Sequence, residues 1–141
     1  MARFVLDTNV VSELAKDEPN PAVVGWLDKQ DADQLFLSVV SIGEMIRGIE
    51  RLTAGRRRDA LVRWIERDVE RQFAGRVLVF DQKIAELWGR LMGAHDRSGT
   101  PRPIIDMQIA ATTFHHGMTL ATRNTRDFAG TGVALVNPWT D

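Results

Sequence analysis

Short runs of apolar residues alternate along the chain with longer segments whose apolar positions recur at helical spacing. The short runs are Phe4–Leu6, Leu35–Ser38, Val77–Phe80, Thr119–Thr122 and Val133–Val136. A short apolar run that ends at turn-forming residues is typical of a buried strand. The pattern therefore predicts five strands.

The segments between these runs have the pattern of amphipathic helices. The clearest apolar stripe comprises Ile42, Met45, Ile46, Ile49 and Leu52. Its helix is predicted to begin at Ser41 and to end before Gly55. Other helices are predicted over 11–16, 22–29 and 57–73, after the capping residue Asp81, and from Pro103 to a stop at Gly117. Alternating strands and helices predict one α/β/α domain over residues 1–141, with a parallel five-stranded sheet covered on both faces.

Four acidic residues occupy corresponding places in this pattern. Asp7 directly follows the first strand, Glu44 lies about one helical turn after the second, and Asp127 follows the fourth. Asp106 opens the helix that returns to the fourth strand. Strand carboxyl ends and the starts of returning helices share one edge of a parallel sheet, where ligands bind. The four carboxylates are therefore predicted to meet there.

Each acid alone also has an ordinary structural explanation. Asp7 could cap the helix that follows it. Glu44 could complete a capping box with Ser41. Asp106 would be favoured by the helix dipole, and Asp127 could stabilise a turn. The ordered set of four is what favours a functional site.

A cluster of four carboxylates needs a compensating cation. Two carboxylates about 5 Å apart repel by about 3 kcal/mol at an effective dielectric near 20. The chain has no cysteine, so a metal would be bound by oxygen or histidine. Oxygen ligands suit Mg²⁺ or Mn²⁺, and a water on such an ion can serve as a nucleophile.

Taken in order, these segments resemble the PIN domain, and in particular the VapC/FitB toxins of bacterial toxin–antitoxin pairs. The resemblance is carried by Val5-Leu6-Asp7-Thr8-Asn9, Ser41-x-x-Glu44, Ile104-Ile105-Asp106-Met107-Gln108-Ile109-Ala110-Ala111 and Leu120-Ala121-Thr122-Arg123-Asn124-Thr125-Arg126-Asp127-Phe128. It extends over nearly the whole chain, to the closing Asn137-Pro138-Trp139.

The resemblance implies a Mg²⁺- or Mn²⁺-dependent ribonuclease that a small antitoxin holds inactive. The matching acids, implied to be catalytic and metal-binding, are Asp7, Glu44, Asp106 and Asp127. The polar residues that match the family's supporting positions are Thr8, Asn9, Thr122 and Asn124. The expected reaction is hydrolysis of RNA phosphodiester bonds by a Mg²⁺-activated water.

Three arginines lie close in sequence to the predicted acids. Arg102 precedes Asp106, and Arg123 and Arg126 precede Asp127. The planar guanidinium suits phosphate. These arginines are therefore predicted to contact RNA or the antitoxin.

Two other functional classes remain open from the sequence. A phosphatase or phosphotransferase could use Asp7 as its nucleophile, although Asn9 stands where a second aspartate is usually required. A non-catalytic binding module could carry acids that only cap helices. A Mg²⁺-dependent activity would distinguish the nuclease from the binding module.

Association and location are also predicted. Large apolar residues on several helices, Trp26, Leu27, Ile46, Ile49, Leu61 and Trp64, are expected to exceed what one sheet can bury. We therefore expect a two-fold homodimer through helices of the N-terminal half, with a higher toxin–antitoxin assembly left open. The antitoxin is expected to cover an apolar groove near the Met45–Leu52 helix and to place a basic side chain among the acids. Residues 1–3 lead directly into the first strand and no apolar segment is long enough to cross a membrane, so the expected location is the cytoplasm.

Overall fold

A parallel five-stranded sheet forms the centre of the protein, as predicted. The computed structural model describes residues 2–141. The strands are β1 (Phe4–Leu6), β2 (Leu35–Ser38), β3 (Val77–Leu78), β4 (Thr119–Ala121) and β5 (Ala134–Val136). Their order across the sheet is β3-β2-β1-β4-β5, and each neighbouring pair is parallel. The strand order runs outward from β1 to β2 and β3 on one side and to β4 and β5 on the other. It therefore reverses beside β1, and α/β sheets bind ligands at such a switch point.

Helices cover both faces of this sheet. They are α1 (Thr8–Glu13), α2 (Pro21–Asp28), α3 (Val39–Glu50), α4 (Arg56–Trp64), α5 (Glu70–Gln72), α6 (Gln82–Arg97) and α7 (Ile104–His115). The predicted stop at Gly117 is confirmed. His116 is the C-cap of α7, and Gly117 follows it in the left-handed conformation, with a φ of 64°. None of the helices in residues 2–141 is long and apolar enough to cross a membrane.

Alternate strand residues enter two separate cores, one on each face. Leu6 of β1 and Ala121 of β4 belong to the core shared with α3. Their neighbours Val5 and Leu120 belong to the core shared with α7. This alternation follows from the two-residue period of a strand, and it explains why the strands are apolar throughout.

Several predicted boundaries are wrong. The third strand ends at Leu78, so Val79 and Phe80 lie outside it, and Val79 is 63% exposed. The fifth strand begins at Ala134 rather than Val133. The helix predicted from Ser41 begins at Val39, because the Ser38 hydroxyl caps it by accepting the Val40 amide.

The helix predicted over 57–73 is interrupted by a π-helical segment, Ile65–Val69, between α4 and α5. Its apolar stripe repeats every four residues, at Leu61, Ile65, Val69 and Phe73. In an α-helix of 3.6 residues per turn, such a stripe drifts by roughly 40° per repeat. The wider π turn compensates for this drift, and Ile65, Val69 and Phe73 all remain in the core.

The expectation that the N-terminal apolar stripes exceed what the sheet can bury is largely wrong. Ile49 is buried, and four of the other named residues pack against the first core: Trp26, Leu27, Leu61 and Trp64. Phe4 also meets Trp26 edge-on, with 4.9 Å between ring centroids. Of the stripe residues, Ile46 is the clearly exposed one, at 44%.

Candidate metal and nuclease site

Asp7 lies at the carboxyl end of β1, buried beside the point where the strand order reverses. Its exposed fraction is 5%. One carboxylate oxygen, Oδ1, accepts the Thr8 amide at 2.8 Å and so caps α1. Asp7 is therefore a helix cap, one of the two roles that the sequence left open. Capping uses only Oδ1 of its two carboxylate oxygens.

The other oxygen of Asp7 is held by Thr122, which follows β4, and by Asn9 of α1. The fully buried Thr122 hydroxyl donates to Oδ2 at 2.7 Å. Asn9 places its amide nitrogen 3.4 Å from the same oxygen and 3.4 Å from the Thr122 hydroxyl. The Thr122 oxygen also accepts the Asn124 amide at 3.1 Å. These contacts fix the orientation of the Asp7 carboxylate. The four predicted supporting residues, Thr8, Asn9, Thr122 and Asn124, therefore all lie at this edge of the sheet.

Glu44 approaches this edge from the middle of α3. Its Oε1 accepts the Thr8 hydroxyl at 2.6 Å. The capping-box alternative with Ser41 is wrong, because Ser38 caps the helix and Ser41 lies inside it. The buried Ser41 hydroxyl has no hydrogen-bond partner among the described residues.

Asp106 lies in the first turn of α7 and is half-buried. Burial is the main reason why its pKa rises from 3.8 to about 6. The negative charges of Asp7, Asp127 and Glu44 raise it further. The fold therefore brings Asp106 within electrostatic reach of the other three acids.

Asp127 is the most exposed of the four acids. It lies in a 3₁₀ turn, Thr125–Phe128, which we call the 125–128 turn. Phe128, 1% exposed, anchors this turn in the second core. The charge of Asp127 acts on both Asp7 and Asp106.

The electrostatics of this cluster fit a cation. Burial raises the pKa of Asp7, and only hydrogen bonds from Thr122 and Thr8 oppose that shift. The ion pairs within residues 2–141, Glu13–Lys16 and Glu50–Arg58, do not involve the four acids. Desolvated carboxylates without a basic partner are costly unless a cation joins them. Oxygen donors of this kind suit Mg²⁺ or Mn²⁺.

The four acids do not converge as closely as the ligands of a preformed metal site. Among the described residues, no three aspartate, glutamate or histidine side chains form a ready-made metal-binding group. Mutual repulsion between four carboxylates explains such spreading. That all four act at one ion stays a prediction.

The three predicted arginines have different environments. Both terminal nitrogens of Arg102 donate to backbone carbonyls, those of Asp127 and Ala129, each at 2.7 Å. Arg123 lies over the Trp139 ring, 5.2 Å from its centroid. Arg126 is exposed beside Asp127, and its side chain makes no hydrogen bond or ion pair within residues 2–141. A contact with RNA or antitoxin stays a prediction for each.

A groove adjoins the acids along the helix that the antitoxin is predicted to cover. Between α1, α3 and α4 lies a cavity of about 320 Å³ whose lining includes Thr8 and Glu44. Its apolar lining is formed by Ala15, Met45, Ile49, Leu61 and Trp64, and its basic residues are Lys16 and Arg57. The apolar stripe of α3 indicated the groove wall, but its pairing with α4 is a tertiary contact that the sequence does not reveal.

The raised pKa of Asp106 predicts a pH dependence of stability without metal. Because the folded state raises this pKa, the carboxyl contributes stability below about pH 4 and loses that contribution as pH rises through about 6. Asp106→Asn should therefore stabilise the metal-free protein at pH 7 by on the order of 1 kcal/mol, after allowance for solvent screening. Thermal unfolding of both proteins from pH 4 to 7, in a chelator, measures this. Equal stability differences at both ends of the range would contradict it.

Comparison with known proteins gives consistent matches. The family model described as "PIN domain" matches residues 4–133. The VapC ribonuclease Y4jK of Sinorhizobium fredii is 41% identical over 136 residues, covering 96% of this chain and 97% of that protein. The toxin FitB of Neisseria gonorrhoeae is 36% identical, covering 98% of this chain and 99% of the toxin.

A solved structure has the same fold. In the structure of FitAB bound to the IR36 DNA fragment, the matched chain superposes with a TM-score of 0.90 and 36% sequence identity. The match covers 98% of this chain and 96% of that one.

Proposed function

Because the chain belongs to the PIN-domain family and is related to its VapC and FitB toxins, we propose that it is a metal-dependent endoribonuclease and the toxin of a toxin–antitoxin pair. The observation that carries the proposal is the cluster of Asp7, Glu44, Asp106 and Asp127, in which burial and the neighbouring acidic charges raise the pKa of the Asp7 and Asp106 carboxyl groups. A relative of high coverage is itself named a ribonuclease.

The proposed ligands of Mg²⁺ or Mn²⁺ are Asp7 and Asp106 directly, with Glu44 and Asp127 acting through water or at a second ion. The bound ion would supply positive charge that activates water and stabilises the phosphate as it is attacked. Thr122 and Asn9 keep Asp7 oriented through its Oδ2. Thr8 holds Glu44 in the same way through its hydroxyl.

RNA cleavage with and without metal tests this proposal. We expect cleavage of single-stranded RNA in Mg²⁺ or Mn²⁺, none in a chelator, and recovery when metal is restored. No phosphate should become attached to Asp7. A stable acyl-phosphate at Asp7 would instead support the phosphatase alternative, and metal-independent cleavage would contradict the proposed role of the acids.

We further propose that the antitoxin occupies the groove between α1, α3 and α4. The related FitB chain was solved within a FitAB complex. In this chain the groove offers an apolar lining next to Thr8 and Glu44. A segment bound there could place a basic side chain among the four acids and displace the metal. Inhibition would follow from occupying both the groove and the acidic site.

Filling the groove from within should block the antitoxin. Gly48 lines the groove, and a Cβ placed on it meets nothing within 4 Å. Gly48→Leu is expected to weaken antitoxin binding at least about tenfold, which corresponds to about 1.4 kcal/mol. Gly43→Leu is the matched control, since Gly43 is on the same helix, has equal space and lies outside the groove lining. Calorimetric titration with the antitoxin decides, and equal affinities would exclude this groove.

We also propose a two-fold homodimer. The large apolar residues exposed in the described chain are Val39, Ile46, Leu52, Val62, Val79, Ile104 and Phe114. Of these, Ile46 of α3 and Val62 of α4 line one surface pocket, and adjoining exposed apolar side chains favour a partner surface. Sedimentation of the isolated protein at micromolar concentration should give a dimer, and a clean monomer would reject this assignment.

A further inference from the structure

Arg102 joins the two segments that carry Asp106 and Asp127. It lies in the loop before α7, four residues ahead of Asp106. Its Nη1 donates to the Asp127 carbonyl and its Nη2 to the Ala129 carbonyl, each at 2.7 Å. One guanidinium therefore connects the start of α7 with the 125–128 turn.

This contact joins the outer side of the turn to the start of α7. Phe128 anchors the turn from the core side. The other bonds of the turn are local: the Asp127 amide donates to the Asn124 carbonyl at 3.0 Å, the Ala129 amide to the Arg126 carbonyl at 3.3 Å, and the Thr131 hydroxyl to the Phe128 carbonyl at 2.6 Å. None of these local bonds reaches α7. The Asp127 side chain is exposed and forms no hydrogen bond within residues 2–141. A helix this short leaves carbonyls without helical partners, and Arg102 satisfies two of them.

The geometry requires an arginine. A planar guanidinium can donate two parallel bonds to two acceptors at once, whereas an ammonium is a point charge on a flexible stem. Both terminal nitrogens of Arg102 are committed to these carbonyls. Arg126 has no such commitment, which leaves it available to a phosphate.

We propose that Arg102 is a positioning residue, which sets the spacing of Asp106 and Asp127 by clamping the 125–128 turn, rather than a contact for RNA. This rests on the proposed metal-dependent function, because the spacing matters through the ion that the acids would share. It assigns the three arginines near the site different tasks.

Hydrogen exchange on the metal-free protein tests the clamp without RNA. Arg102→Lys keeps the charge and loses the paired bonds, and Arg126→Lys is the matched control in the turn itself. We expect the hydrogen-bonded amides of Asp127, Ala129 and Thr131 to exchange at least about tenfold faster in Arg102→Lys, which corresponds to about 1.4 kcal/mol. They should be unchanged in Arg126→Lys. Unchanged exchange in both variants would overturn the clamp.

Metal and RNA affinities separate positioning from substrate binding. Arg102→Lys should weaken Mn²⁺ binding, measured by calorimetry, by about 10-fold or more, as changes to partners of metal ligands do. Its RNA affinity in a chelator should stay within about twofold of the original. A loss of RNA affinity with Mn²⁺ affinity unchanged would overturn the proposal. Arg102→Gln, which keeps a single pair of donors on one nitrogen, is a second variant with the same expected results.

These outcomes are distinct from failure of the proposed function. If the unaltered protein binds Mn²⁺ but cleaves no RNA, the nuclease assignment fails. The exchange and Mn²⁺ results would still decide whether Arg102 positions the acids.

Discussion

Asp7→Asn is expected to reduce RNA cleavage at least about 100-fold, the scale on which loss of one preorganised electrostatic contact acts. The substitution removes a charge from the centre of the proposed metal site and keeps the size of the side chain. Cleavage of RNA under single-turnover conditions in Mn²⁺ measures the loss.

The same substitution should leave the metal-free protein at least as stable. Asparagine is a good helix cap, and its oxygen can still accept the Thr8 amide. The Thr122 hydroxyl, which donates to Oδ2 of Asp7, can rotate to accept an N–H of the new amide. Burial and neighbouring acids raise the pKa of Asp7, so the neutral side chain suits the fold better than the charged one. Asp81→Asn is the matched control, since Asp81 caps α6 through the Ile84 amide and is not one of the four acids. We expect Asp81→Asn to keep full cleavage. If metal-free Asp7→Asn melts at a lower temperature and still cleaves RNA, then Asp7 acts only as the cap of α1.

Thr122→Val is expected to weaken Mn²⁺ binding and cleavage by about 10- to 100-fold, the usual effect of losing a partner of a metal ligand. Valine has nearly the shape of threonine but lacks the hydroxyl that donates to Asp7 Oδ2 at 2.7 Å. It also leaves the Asn124 amide without its acceptor. Because Thr122 is fully buried, the unpaired groups should cost about 1–3 kcal/mol of stability.

Thr122→Ser separates the hydroxyl from the rest of the side chain. Serine keeps the donor and loses a methyl group, so Mn²⁺ affinity should remain close to the original. Calorimetric titration of both variants with Mn²⁺ provides the comparison. Equal affinities for valine and serine would show that the bond does not orient Asp7.

The sheet could be predicted from the sequence because its strands carry an unambiguous signal. Val5 and Leu6 are both apolar since they enter cores on opposite faces, which is the arrangement of a parallel sheet covered by helices. Once the sheet is parallel, Asp7 must lie at its carboxyl edge. The placement of Asp106 at the start of α7 followed from the same topology.

Local capping could not be predicted as well. Ser38 and Ser41 lie three residues apart, and each precedes apolar positions that fit a helix. The end of β2 decides between them, because Ser38 is both the last residue of the strand and the cap of α3. That choice depends on how far β2 pairs with β3, which is a contact distant in sequence.

The hydrogen-bond partners of Arg102 also could not be predicted from the sequence. Its acceptors are backbone carbonyls 25 and 27 residues away, and carbonyls have no signature in the sequence. Closeness to Asp106 suggested a contact with substrate. The fold instead directs the guanidinium to the turn that carries Asp127.

The position of a bound Mn²⁺ ion tests the central claim most directly. Anomalous scattering from crystals of the protein grown or soaked with Mn²⁺ would locate the ion. We predict a peak at the carboxyl edge of the sheet, with oxygens of Asp7 and Asp106 as direct ligands and Glu44 and Asp127 around it, and no such peak in Asp7→Asn. A Mn²⁺ peak bound elsewhere, with these four carboxylates unoccupied at millimolar metal, would contradict the account.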